Sequence, residues 1–136
     1  MTIQLCIMAL LNTVLFGWIC LLFLLSGGAK LAGLQLMKDS FVVFSGVFPL
    51  KSFGIIPDPD VYRLTIGVVE FLGAIILMLG PVGWKKLTYV VFFVIMVGAV
   101  HTLIMTGESH MAPFPASTGA ILLYLYSKSG GHKKID

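Results

Sequence analysis

Apolar residues run almost unbroken through four stretches of the chain, Leu5 to Leu36, Val61 to Leu79, Leu87 to Thr106 and Phe114 to Tyr126. Polar residues collect between them. At about 1.5 Å per residue each of the first three can cross a hydrocarbon core of about 30 Å, whereas the fourth is short and needs its flanks. The pattern predicts an all-α membrane protein: a four-transmembrane-helix bundle with an interfacial segment between helices 1 and 2. It forms a single domain over residues 1–127, followed by a polar cytosolic tail at 128–136.

The ends of the spans carry their own signals. The first run could be mistaken for a signal peptide, with Ser26, Gly27, Gly28 and Ala29 near a cleavage-like site. It lacks a charged start, however, and is longer than the usual h-region, so it reads as the first membrane helix. Ser26, Gly27, Lys30 and Leu34 share one of its faces, and the small residues let another helix come close. In the connection from Lys38 to Asp60, Phe41, Phe44 and Phe48 recur at helical spacing. This predicts a short amphipathic helix ended by Pro49 and lying in the membrane interface, with Phe53, Ile55 and Ile56 continuing the contact. A loop packed over the mouth of the bundle fits the same residues. Asp58 and Pro59 then form a good N-cap and first turn for the second span. On that span Arg63, Gly67, Glu70 and Ala74 share a face, which should point into the bundle. Gly80, Pro81 and Gly83 end it, and Trp84, Lys85 and Lys86 make a short interfacial turn. Ser117 and Thr118 are expected to open the last span.

Composition narrows the class further. Of 136 residues 58% are hydrophobic and 11% charged, with a mean hydropathy of +1.02, which excludes an ordinary water-soluble domain. The net charge of +3 sits in loops and tail rather than on a basic face with aromatic platforms, so no nucleic-acid partner is implied. Membrane lipid is the partner that composition implies. Cys6 and Cys20 both fall in the first span, about 21 Å apart along a helix, beyond disulfide reach. Lys85, Lys86, Lys128, Lys133 and Lys134 outweigh the mixed charges of the long connection, so the positive-inside rule places both termini in the cytosol.

Three ionisable side chains remain inside the apolar runs: Lys30, Glu70 and His101. An acidic group near the centre of a membrane helix costs about 2.5 to 3.5 kcal/mol, so Glu70 needs a partner or must lose its charge. Counted from the outer helix ends, Lys30 lies about 9 Å deep, Glu70 about 16 Å and His101 about 8 Å, all in the outer half of the bilayer. The expected contact is Lys30 with Glu70. His101 would hydrogen-bond the same carboxylate or exchange a proton with it. The plainer readings are a buried pair that fixes helix register and, for His101, a satisfied core histidine. At the C-terminus, Lys133 and Lys134 occupy the third and fourth positions from the end, as in a dilysine retrieval signal for the endoplasmic reticulum. An ordinary basic tail has the same residues.

The segments GGAKL at Gly27 to Leu31, VFPLKSFG at Val47 to Gly54, PDPDVYR at Pro57 to Arg63 and GVVEFLGAIILMLGP at Gly67 to Pro81 resemble the NACHO group of small membrane proteins. That group lies within the DoxX-like superfamily of four-helix membrane proteins, and the chain is closer to the paralogue of NACHO than to NACHO itself. The resemblance implies a multi-pass chaperone of the endoplasmic reticulum membrane that helps nascent nicotinic acetylcholine receptor subunits assemble through transmembrane contacts. It implies no catalytic site and no cofactor. By position it assigns the family's lysine to Lys30 and its glutamate to Glu70, with His101 matching less closely, and the short tail departs from the longer one of NACHO. Phe41, Phe44, Phe48 and Phe53 are the candidate partner-binding residues. Two further readings stand beside this one. Some DoxX-like members resemble membrane subunits of quinone-linked oxidoreductases, in which Glu70 and His101 would handle protons at a quinone head group. A proton or small-solute transporter using the same polar layer would need oligomerisation for alternating access, and a homo-oligomer is left open by the small-residue faces.

Overall fold

The long first apolar run does not remain one helix. The computed structural model, which describes residues 2–48, 53–55 and 57–131, ends α1 (Thr2–Ala32) at Gly33, whose φ is +70°. Glycine adopts that left-handed geometry without steric cost, and the Gly33 N–H bonds back to the Lys30 carbonyl at 3.3 Å. The chain then starts α2 (Gln35–Gly46). This is the helix expected from the phenylalanine spacing, but it stops at Gly46, before Pro49, which lies outside the described residues.

α3 (Pro59–Leu79) begins where the sequence places it: the Asp58 carboxylate accepts from the Val61 N–H at 3.2 Å, and Pro59 is the first helical residue. α4 (Val82–Met105) begins directly after Pro81, so Trp84, Lys85 and Lys86 belong to its first turns instead of a separate connection. After a 3₁₀ turn at Ser109–Met111, α5 (Pro113–Gly131) opens on a proline. It starts before Ser117 and carries on through residues 128–131, the beginning of the expected tail. Among the described residues there is no strand. α1, α3 and α4 are long and apolar enough to cross a membrane. α5, with 19 residues and lower hydrophobicity, falls outside that set.

Packing follows the small residues. α1 and α3 form the most extensive contact, α5 lies along α4, and α2 rests on α3. A Cβ added at Gly27 would sit 2.6 Å from the backbone nitrogen of Phe71 and 2.8 Å from the Gly67 carbonyl oxygen. The two backbones can touch only because no side chain lies between them. Lower down, a Cβ at Gly73 would meet the Phe92 ring at 2.6 Å; Phe92 is fully buried and stacks on Phe23 with ring centroids 3.9 Å apart. Around this stack Ile19, Cys20, Ala74, Leu77, Tyr89, Leu122 and Leu125 complete one core drawn from α1, α3, α4 and α5.

Three buried threonines in the helices are satisfied locally. Thr88, Thr102 and Thr118 each bond the carbonyl four residues back, at 2.8, 2.8 and 3.0 Å, which suits a medium that offers no water. Asn12 accepts from the Tyr124 hydroxyl at 2.6 Å and so ties α1 to α5.

Gly27 and Gly28 make a matched test of the α1–α3 contact, since a Cβ at Gly28 meets nothing within 4 Å. Gly27→Ala is expected to lower stability by about 1 to 3 kcal/mol through overpacking, and Gly28→Ala to leave it unchanged or slightly improved. Thermal unfolding of the two variants in one detergent checks this.

Candidate functional site: an ion pair between two membrane helices

Where the glycines bring α1 and α3 together, the two helices exchange charge. Lys30 Nζ lies 2.7 Å from Glu70 Oε1, and both residues are buried, at 9% and 2% exposure. Ser26, one turn before Lys30, closes the arrangement: it accepts from Lys30 Nζ at 2.5 Å and donates to the same Glu70 oxygen at 3.1 Å. The ammonium thus has two acceptors and the carboxylate two donors. Side chains in a helix lean toward its N-terminus, so on the antiparallel α1 and α3 those of Lys30 and Glu70 lean toward each other. Gly67 leaves room for the lysine stem, with Lys30 Cβ 3.0 Å from where its own Cβ would be.

The backbone of Lys30 is held as well. Arg63 is buried on α3 and donates through Nη1 to the Lys30 carbonyl, one of the last acceptors of α1. A cation at that end gives a second donor to a carbonyl already bonded by the Gly33 N–H, and it complements the helix dipole. Asp60, one turn away and largely exposed, stands 3.5 Å from Arg63 Nη2. Sequence reasoning placed Arg63 on the inward face of its helix but missed this cap. The signal was available in principle, since an arginine four residues before an inward glycine must find an acceptor nearby.

His101 does not join the pair. It makes no hydrogen bond to Lys30 or Glu70, and its Nδ1 is buried without a partner among the described residues. α4 lies chiefly along α5, and its close approach to α3 is where Phe92 meets Gly73, nine residues before His101. Depth along a helix assigns a layer but says nothing about which way a side chain faces.

The four phenylalanines also divide. Phe41 is buried, and its ring stands edge-on to Tyr62 of α3 at 5.0 Å and to Phe44 at 5.3 Å. Phe48 meets the same tyrosine at 5.3 Å. This cluster attaches α2 and the residues just after it to α3. Phe41, Phe44 and Phe48 spend ring faces inside the protein, while Phe53 is 77% exposed. Lys133 and Lys134 lie outside the described residues. Among those residues no group of three or more His, Cys, Asp or Glu could hold a metal ion.

A helical membrane bundle whose first two long helices are joined by a buried lysine–glutamate pair is the class of protein that these features define. The chain belongs to the DoxX-like family, which its sequence matches over residues 14–125. No solved structure matches it.

Breaking a buried pair on one side leaves an uncompensated charge. Lys30→Met and Glu70→Met are each expected to destabilise by about 3 to 5 kcal/mol, and the double variant by less than the sum. His101→Leu, which removes an unpaired polar atom, is expected to be neutral or stabilising. A double-mutant cycle on heat denaturation measures the first, and the same assay the second.

Proposed function

We propose that the protein is a non-enzymatic assembly factor of the endoplasmic reticulum membrane, of the NACHO type, serving subunits of nicotinic acetylcholine receptor-like pentameric channels. The single observation that carries this reading is that Lys30 and Glu70 satisfy each other and Ser26 inside the bundle. A group so occupied serves as a register pin, and the surface left for function is then the lipid-facing one. In this reading α5 completes a four-span bundle, α2 lies at the interface, and both termini are cytosolic.

Support for a docking face comes from α4. Val90, Val94 and Val97 project outward at helical spacing, and a Cβ at Gly98 beside them would meet nothing. An open glycine among short branched side chains is a surface on which another helix can pack closely in lipid. A half-assembled channel subunit would be held there until the next subunit replaces the chaperone.

The quinone-linked alternative needs Glu70 and His101 to face one cavity. Two hollows of about 300 Å³ are lined by Pro81, Gly83, Trp84 and Leu87, and by Tyr89, Val90, Phe93, Leu122, Leu123 and Tyr126, and neither includes Glu70 or His101. It therefore has less support.

Co-expression with nicotinic receptor subunits is expected to raise the number of assembled receptors at the cell surface. Gly98→Leu should abolish that gain while leaving the protein's abundance and melting temperature unchanged. Receptor numbers unaffected by the wild-type protein would contradict the proposal. An engineered glycosylation acceptor in the 38–60 connection should be modified and one appended to the C-terminus should not, as the orientation requires.

A further inference from the structure

Positive charge collects at the turn that joins α1 to α2. The position a side chain would take at Gly33 has Lys38 Cε at 3.2 Å, Lys38 Nζ at 3.8 Å and Arg63 Nη1 at 3.7 Å. Two cations therefore converge on one short stretch of backbone. Neither faces a buried carboxylate as Lys30 does. Lys38 has no carboxylate partner among the described residues. Arg63 is 5% exposed with its Nε unpartnered, and its nearest carboxylate, Asp60, is 3.5 Å away on a side chain that is 70% exposed.

The start of α2 adds a third feature of the same sign. Its N-cap, Leu34, has no side-chain oxygen, and among the described residues no side chain bonds the first N–H groups of this helix. Uncapped N–H groups and the positive end of the helix dipole favour an anion. Leu31, Leu34 and Leu36, close in sequence to the turn, are 37%, 53% and 74% exposed. Such surroundings suit a phosphate that carries acyl chains.

We propose that the α1–α2 turn binds a phosphate-type anion through Lys38, Arg63 and the N-terminus of α2. The phosphate is carried by a phospholipid headgroup or is free in solution, and the leucines favour the lipid. This site is independent of any client. Lys38 supplies an adaptable point charge, and Arg63 supplies one that is fixed by its bond to the Lys30 carbonyl. An occupant would also draw α2 toward the end of α3, because its ligands come from both.

The full chain in nanodiscs of phosphatidylcholine, with and without phosphatidylglycerol, tests the site when bound lipid is counted by native mass spectrometry. The wild type is expected to retain phosphatidylglycerol over phosphatidylcholine. Lys38→Gln should weaken that retention about fivefold, the effect of one interfacial cation. Lys38→Arg should restore it, and Lys128→Gln, at the far end of α5, should not change it. Lys38 is exposed and makes no side-chain hydrogen bond among the described residues, so these variants should fold. In a second arm inorganic phosphate is added to the phosphatidylcholine sample and the melting temperature is read. A rise that Lys38→Gln removes would assign the site to free phosphate, and retention of phosphatidylglycerol without such a rise would assign it to lipid. Equal retention of both lipids with no phosphate response, or a Lys38→Gln variant indistinguishable from wild type in both arms, would overturn the proposal.

Discussion

The contact between Lys30 and Glu70 is the constraint on which the rest of the structure depends. Either charge alone is costly in hydrocarbon, and pairing offsets part of that cost. The pair needs α1 and α3 at one depth and facing one another, so satisfying it fixes two degrees of freedom at once. Once those are fixed, Arg63 reaches the end of α1 and Gly33 turns the chain into α2. The aromatic cluster on Tyr62 then has a surface to close upon.

Close approach is what makes so short a contact available. Gly27 and Gly67 let the backbones meet, and the lysine stem passes over Gly67. A larger residue at either position would separate the helices and leave both charges partly unpaired. In lipid there is little hydrophobic drive for helices to associate, so small residues and polar bonds must supply it together. Here they occupy adjacent turns. α4 and α5 join by ordinary apolar packing, centred on Phe92 and Leu122.

Much of this was legible in the residues. Asp58 and Pro59 announce the start of α3, Glu70 is conspicuous as a carboxylate within an apolar run, and its spacing from Gly67 and Ala74 gives the inward face. The end of α1 was harder to see. Gly33 lies in a sequence apolar through Leu36, and hydropathy alone does not register a backbone that takes a positive φ. His101 was misplaced for a different reason: counting residues gives its depth, but facing depends on how α4 packs, which is settled by α5. Phe41 had the periodicity of an interfacial residue, and the same periodicity serves equally well to pack a helix onto a neighbour. Arg63 shares the inward face with Gly67 and Glu70, but its acceptor is a backbone carbonyl of another helix, which no side-chain pattern registers.

Glu70 is the partner of Lys30 and is committed to holding two helices together. Infrared spectroscopy of the protein in lipid, compared with its Glu70→Gln variant, reads the state of that one carboxyl group directly. A carboxylate band at neutral pH that disappears in the variant is the expected result. A protonated carboxyl band assigned to Glu70 with Lys30 intact would contradict it.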